Sequence, residues 1–153
     1  MPAPLTRRCL LPVTAVMALA GCSLMTAPVV NLSVETAVAD AVVPQDGATE
    51  VTLTVRNLTR RTVEITGGGC MLTVRVLEVP PREMACTMEL RTYRLRPGEA
   101  ITRTFAFWPA FPHWADGALA PGTYTLAGVL QADGATAHGT PVTLQVAEAA
   151  GAG

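Results

Sequence analysis

From about residue 29 onward, apolar and polar residues alternate with a period of two, the spacing of half-buried strands rather than helices. Residues 49–58 show it best: Val51, Leu53 and Val55 share one face, and Glu50, Thr52, Thr54 and Arg56 the other. Upstream, residues 29–43 are apolar and β-branched and stop at Pro44 and Asp46-Gly47, which predicts a first strand closed by a turn. Residues 62–66 repeat the alternation with Val63 and Ile65 inward. The short link Thr59-Arg60-Arg61 predicts that they pair with 49–58 as a hairpin. Gly67-Gly68-Gly69 then reads as a flexible connection, because glycine imposes no φ preference and packs poorly in a strand. A phosphate loop is excluded, since β-patterned 72–76 follows where a helix N-terminus would be required. Beyond Pro80-Pro81, Cys86, Met88 and Leu90 share a face and predict another strand with those side chains in the core. Tyr93 and Leu95 fall out of step with Leu90, predicting a bulge near Arg91 and Thr92. Pro97-Gly98 and Pro121-Gly122 feed strands over 101–107 and 123–131; Arg103 falls on the apolar face of the first and must lie near an edge or snorkel outward. Asp133-Gly134 predicts a hairpin turn into 140–146, after which 148–153 reads as a disordered tail.

Seven to eight short strands, frequent Gly and Pro turns and no sustained helical period predict one all-β domain over 29–147, an antiparallel sandwich. Ahead of it stand Arg7 and Arg8 and then an apolar run over 9–20, the order found in a secretory signal peptide and too short to span a bilayer. Leu19-Ala20-Gly21-Cys22 resembles the lipobox of bacterial lipoproteins. The resemblance implies a signal peptide over 1–21, a diacylglycerol on the Cys22 sulfur, a tether over 22–28, and a cell-envelope protein held to its membrane by lipid. Of the four cysteines, Cys9 would leave with the signal and Cys22 would carry lipid. Cys70 and Cys86 remain, and in an oxidising compartment they are expected to form a disulfide. After processing, nine arginines stand against twelve acids, a net charge near −3 that argues against nucleic acid as a partner.

Leu119-Ala120-Pro121-Gly122-Thr123-Tyr124 is similar to the tyrosine corner of immunoglobulin-like and fibronectin-like domains, with Tyr124 as the corner residue. Together with 51–57 and 95–99, it makes residues of about 47 to 131 resemble the intracellular proteinase inhibitors of bacilli. That resemblance implies an immunoglobulin-like β-sandwich. The export signal and the cysteine pair depart from that family, and no reactive-site residue carries over.

Catalysis needs a nucleophile with a base, paired carboxylates or a metal in a pocket, and no such constellation is visible, so neither enzymatic activity nor a cofactor is expected. His113 and His138, with Met71, Met84 and Met88 as soft ligands, suggest envelope copper carriage; no tight His-Met or His-x-His spacing supports it, so no metal is expected. The unusual stretch is 105–114, which holds both tryptophans and all three phenylalanines. In one reading Phe105 and Phe107 belong to the strand and the remainder covers an open end of the sandwich. In the other, Trp108, Phe111, His113 and Trp114, held extended by Pro109 and Pro112, form a partner-binding loop. The resulting expectation is a lipid-anchored envelope module that binds a protein or surface polymer without catalysis. The alternative is an exported proteinase inhibitor.

Overall fold

The computed structural model describes residues 31–83, 85–113, 115–149 and 151; the expected signal peptide, Cys22, its tether, Met84 and Trp114 lie outside them. The strands are β1 (Leu32–Val38), β2 (Val42–Pro44), β3 (Thr49–Asn57), β4 (Val63–Gly67), β5 (Leu72–Val76), β6 (Arg91–Leu95), β7 (Ala100–Phe107), β8 (Gly122–Ala132), β9 (Ala135–His138) and β10 (Val142–Ala147). One sheet runs β1-β3-β7, a second runs β2-β10-β8-β5 with β9 also on β8, and β4 pairs with β6 in a two-stranded ribbon. All these pairs are antiparallel except β2, which runs parallel to β10. The core lies between the sheets, where Val51, Leu53 and Val55 face the second sheet's Val74, Leu126, Leu130 and Leu144, all fully buried.

The ten segments act as eight strands. The expected single strand over 29–43 is in fact two, because the chain changes sheets between them. Ala39 N–H still bonds Glu50 O on β3 (2.9 Å), whereas Gln145 N–H already bonds Ala41 O from β10 (2.8 Å). β4 and β5 are halves of one strand interrupted by the glycines. Continued in register, β5 would set Gly69 opposite Asp133, yet the carbonyl accepting Asp133 N–H is that of Thr66 (2.9 Å). Three extra residues are therefore looped out, and glycine is what permits it. β9 and β10 are also halves of one strand, so Asp133 (φ 51°) and Gly134 (φ 75°) turn the chain into β9 first. The break follows Gly139, where an added Cβ would stand 2.8 Å from Thr36 Oγ1 on β1.

Two further expectations are corrected. β4 does not form a hairpin with β3; β3 lies between β1 and β7, and β4 pairs with β6. The buried Asn57 side chain directs this crossing, donating to Arg61 O (2.7 Å) and Leu95 O (2.9 Å) as the chain leaves one sheet for the other. Nor do residues 86–90 form a strand: Met88 is 94% exposed and Leu90 is exposed as well. The segment has no ladder partner and is held by a covalent bond, so its alternation buries nothing, and the bulge expected near Arg91 disappears because β6 begins there. Arg103 lies, as its register requires, on the edge strand β7, with its guanidinium 5.1 Å from the Phe105 ring centre.

β1, β3 and β7 occupy the places of strands A, B and E of an immunoglobulin-like sandwich, and β5, β8 and β10 those of C, F and G. Tyr124 Oη donates to Ala120 O at 2.8 Å, which is the tyrosine corner. The fold is an immunoglobulin-like β-sandwich. Tyr124→Phe keeps the ring and removes that bond, so urea unfolding should show a loss of about 0.5 to 1 kcal/mol.

Candidate functional site

The aromatic stretch divides at the end of β7. Phe107 sits opposite Thr49 and is 1% exposed, and Phe105 is half-buried, so both belong to the strand. The chain then turns, with Phe111 N–H bonding Trp108 O at 3.1 Å. Trp108 remains 39% exposed and Phe111 80% exposed, while Pro109 and Pro112 between them are buried. His113 is exposed, its ring edge-on to Trp108 at 6.2 Å and 76°. The loop does cover the open end of the sandwich, but it does so with Pro109, Pro112, Ala115 and Leu119. The structure thus brings Trp108, Phe111 and His113 together on an outward face.

The backing of this loop is built from backbone bonds and one side-chain amide. Leu119 N–H bonds Pro109 O (2.8 Å), Gln45 Nε2 bonds Leu119 O (2.9 Å), and Ala115 bridges to Pro81. The same end of β5 is tied by Glu78, whose carboxylate accepts Thr125 N–H at 2.9 Å. Partial desolvation pushes the Glu78 carboxyl up, but hydrogen bonds from Thr125 and from its own backbone outweigh it and hold the group below its ordinary value. Large rings on a braced loop pre-pay the ordering cost of binding, which is the arrangement of an interface anchor.

Cys70 and Cys86 form the expected disulfide, with an S–S distance of 2.01 Å and Cα atoms 5.4 Å apart. It joins the looped-out glycine segment to the long excursion over 77–90, a constraint on which three clefts border, the two larger differing in lining. One, of about 650 Å³, is mainly apolar and includes Met71, Leu90, Ala132 and Ala135. The other, of about 580 Å³, includes Thr73, Arg75, Arg82, Gln131 and His138. Alternation in the sequence had assigned Leu90 to the core and so concealed the first. Among the described residues no group of three or more His, Cys, Asp or Glu is placed to hold a metal ion. Met71 is buried in the core, whereas Met88, which the sequence pattern assigned there, projects into solvent.

No family model matches this chain, and no curated protein matches its sequence. Among solved structures, the CARDB domain of a Pyrococcus furiosus protein, determined in complex with di-metal ions, is similar over 76% of this chain and 93% of that one, at 17% identity and a TM-score of 0.47. A solution NMR structure of the same domain is similar over 76% of this chain and 94% of that one, with 17% identity and a TM-score of 0.43. The beta-glucosidase of Listeria innocua in complex with glucose is similar over 77% of this chain but only 16% of that enzyme, at 13% identity and a TM-score of 0.45. The immunoglobulin-like fold stands on this chain's own sheets and tyrosine corner, and at these identities the similar structures reach no further than fold.

Proposed function

We propose that this protein is a lipid-anchored interaction module of the bacterial cell envelope, carrying no catalytic site and presenting the Trp108–Phe111 loop to a protein partner. The observation that carries the reading is the exposure of Trp108 and Phe111 on buried prolines. Rings of this size are rarely left in water on a rigid loop unless something covers them. The disulfide suits an oxidising compartment, in agreement with export. The anchor itself is proposed from the lipobox at Cys22, outside the described residues.

Trp108→Ala combined with Phe111→Ala is expected to weaken partner capture at least tenfold, about 1.4 kcal/mol. Crosslinking in the protein's own cells, followed by affinity measurement on the captured partner, reads this. Unfolding free energy should change by less than about 1 kcal/mol, because neither ring is core. Undiminished capture by the folded double variant would remove the loop from the site. Stoichiometric slowing of a protease by the parent but not by the variant would identify the partner as a protease.

A further inference from the structure

Charge is segregated along the long axis of the sandwich. β3 runs from Thr49, beside the aromatic loop, to Asn57 at the opposite end, nine residues covering about 27 Å. Around Asn57 lie Arg56, Arg60, Arg61, Arg94 and Arg96, with Glu64 and Glu99 among them and Glu35 and Asp133 farther along the sandwich. The aromatic end instead carries Asp40, Asp46, Glu50, Glu78, Asp116 and Glu148 against Arg75 and Arg82. At an ionic strength of 0.15 M the Debye length is about 8 Å, so the distal acids do not cancel the basic end.

Three details give that basic end the form of a surface. Glu64 is taken up by Arg94, and Glu99 accepts the backbone N–H of Arg96 at 2.7 Å. Arg56 donates to a neutral carbonyl, Gly98 O, at 2.7 Å, a bond that offsets none of its charge. Leu58, between Arg56 and Arg60, is 66% exposed, and its N–H bonds Asn31 O at 3.3 Å, so the chain enters the domain beside this crest. Arg60 and Arg61 border one open cleft with Asn31 and Leu58; Arg94 and Arg96 border a second, and Thr62 lines both. Only residues 23–30 separate Asn31 from Cys22.

We propose that this basic end is a docking surface for an anionic phospholipid bilayer, with the arginines on headgroup phosphates and Leu58 dipping between them. Guanidinium groups match phosphate oxygens in pairs, and each arginine at an anionic membrane surface raises partitioning about fivefold. An apolar side chain at the centre of such a patch adds insertion to attraction. The aromatic loop would then be held about 27 Å from the membrane with its acids turned away from it. The inference rests on the lipid-anchor reading for its place in the cell, but the surface is testable apart from the anchor.

The test uses the protein as its cells process it, spin-labelled through Leu58→Cys in one preparation and through Phe111→Cys in another. Each is added to phosphatidylglycerol-containing vesicles and to pure phosphatidylcholine vesicles. The label at 58 should be shielded from a water-soluble relaxation agent on the anionic vesicles and open on the neutral ones, while the label at 111 stays open on both. Arg60→Glu with Arg61→Glu should abolish the shielding at 58, as should raising the salt. Equal exposure at 58 on both vesicle types overturns the proposal, and so does shielding at 111 in its place. Loss of shielding when inorganic phosphate is added at constant ionic strength would assign the arginines to free phosphate and likewise overturn it. Mass measurement of the processed chain reads the anchor separately. An unlipidated chain still shielded at 58 would sink the anchor reading and leave the bilayer surface standing.

Discussion

Asn57→Ala is expected to lower the unfolding free energy by about 3 kcal/mol, with the urea m-value unchanged. The side chain is 0% exposed and all of its polar atoms are used. Nδ2 donates to Arg61 O and Leu95 O, and Oδ1 accepts from Thr59 N–H (2.9 Å) and Thr59 Oγ1 (2.8 Å). Alanine leaves the Leu95 carbonyl buried without this donor and removes the acceptor of Thr59 N–H; an unmet buried polar group costs about 1 to 3 kcal/mol. The Arg61 carbonyl is nearer solvent and can be satisfied by water. Thr59→Val, which exchanges only the hydroxyl for a methyl, should therefore cost less than about 1 kcal/mol. If the two variants unfold alike, the turn after β3 is held by its strands and the amide is incidental. Because the same loop carries Arg60 and Arg61, Asn57→Ala should also blur the basic end while leaving the aromatic end intact.

Asn57 also shows where sequence reasoning stops. A period of two found β3, β7 and β8 nearly to the residue; in β3 one face is core and the alternation records it, whereas β7 is mostly half-buried or exposed and β8 is buried on both faces from Leu126 to Leu130. The same period at 62–66 found a strand but gave it the wrong neighbour, because pairing was decided by one side-chain amide reaching Leu95 in a strand not yet encountered. At 86–90 alternation was present without burial, as Met88 and Leu90 show, because a covalent bond had taken over the role of packing. The aromatic loop was visible from residue density, but its exposure was not. Phe107 and Phe111 are the same residue four positions apart, one buried by the end of a strand and the other lifted out by a turn over buried prolines. A total near −3 adds together two ends separated by several Debye lengths, and no surface ever meets that sum.

Joint replacement of Cys70 and Cys86 by alanine should destabilise the fold by about 3 kcal/mol, the loop-closure entropy returned to an unfolded chain by opening a loop of this size. The two cysteines are 16 positions apart, and what they tie together has little else to hold it. Between Leu77 and Leu90 the retained contacts include Leu77 N–H on Thr125 O (2.9 Å), the Glu78 bond to Thr125, Asp116 N–H on Pro80 O (3.4 Å), the Pro81 bridge to Ala115, Gly69 N–H on Thr87 O (3.2 Å) and an exposed Arg91–Glu89 ion pair. The loss should therefore appear twice, as a lower urea midpoint and as local opening below it. Arg82 is exposed within that segment, and the chain has no lysine, so trypsin under native conditions reports on it directly. Cleavage after Arg82 should accelerate in the double variant well before the core unfolds, because excursion and core open with different free energies. A stability unchanged within about 0.5 kcal/mol, with cleavage unaltered, would mean that the noncovalent contacts suffice and the bond constrains nothing. A lower midpoint without faster cleavage would place the whole effect in the unfolded chain. The combined result is expected because Cys70 follows the glycine insertion between β4 and the edge strand β5, so releasing Cys86 frees both the excursion and the strand break to which it is tied.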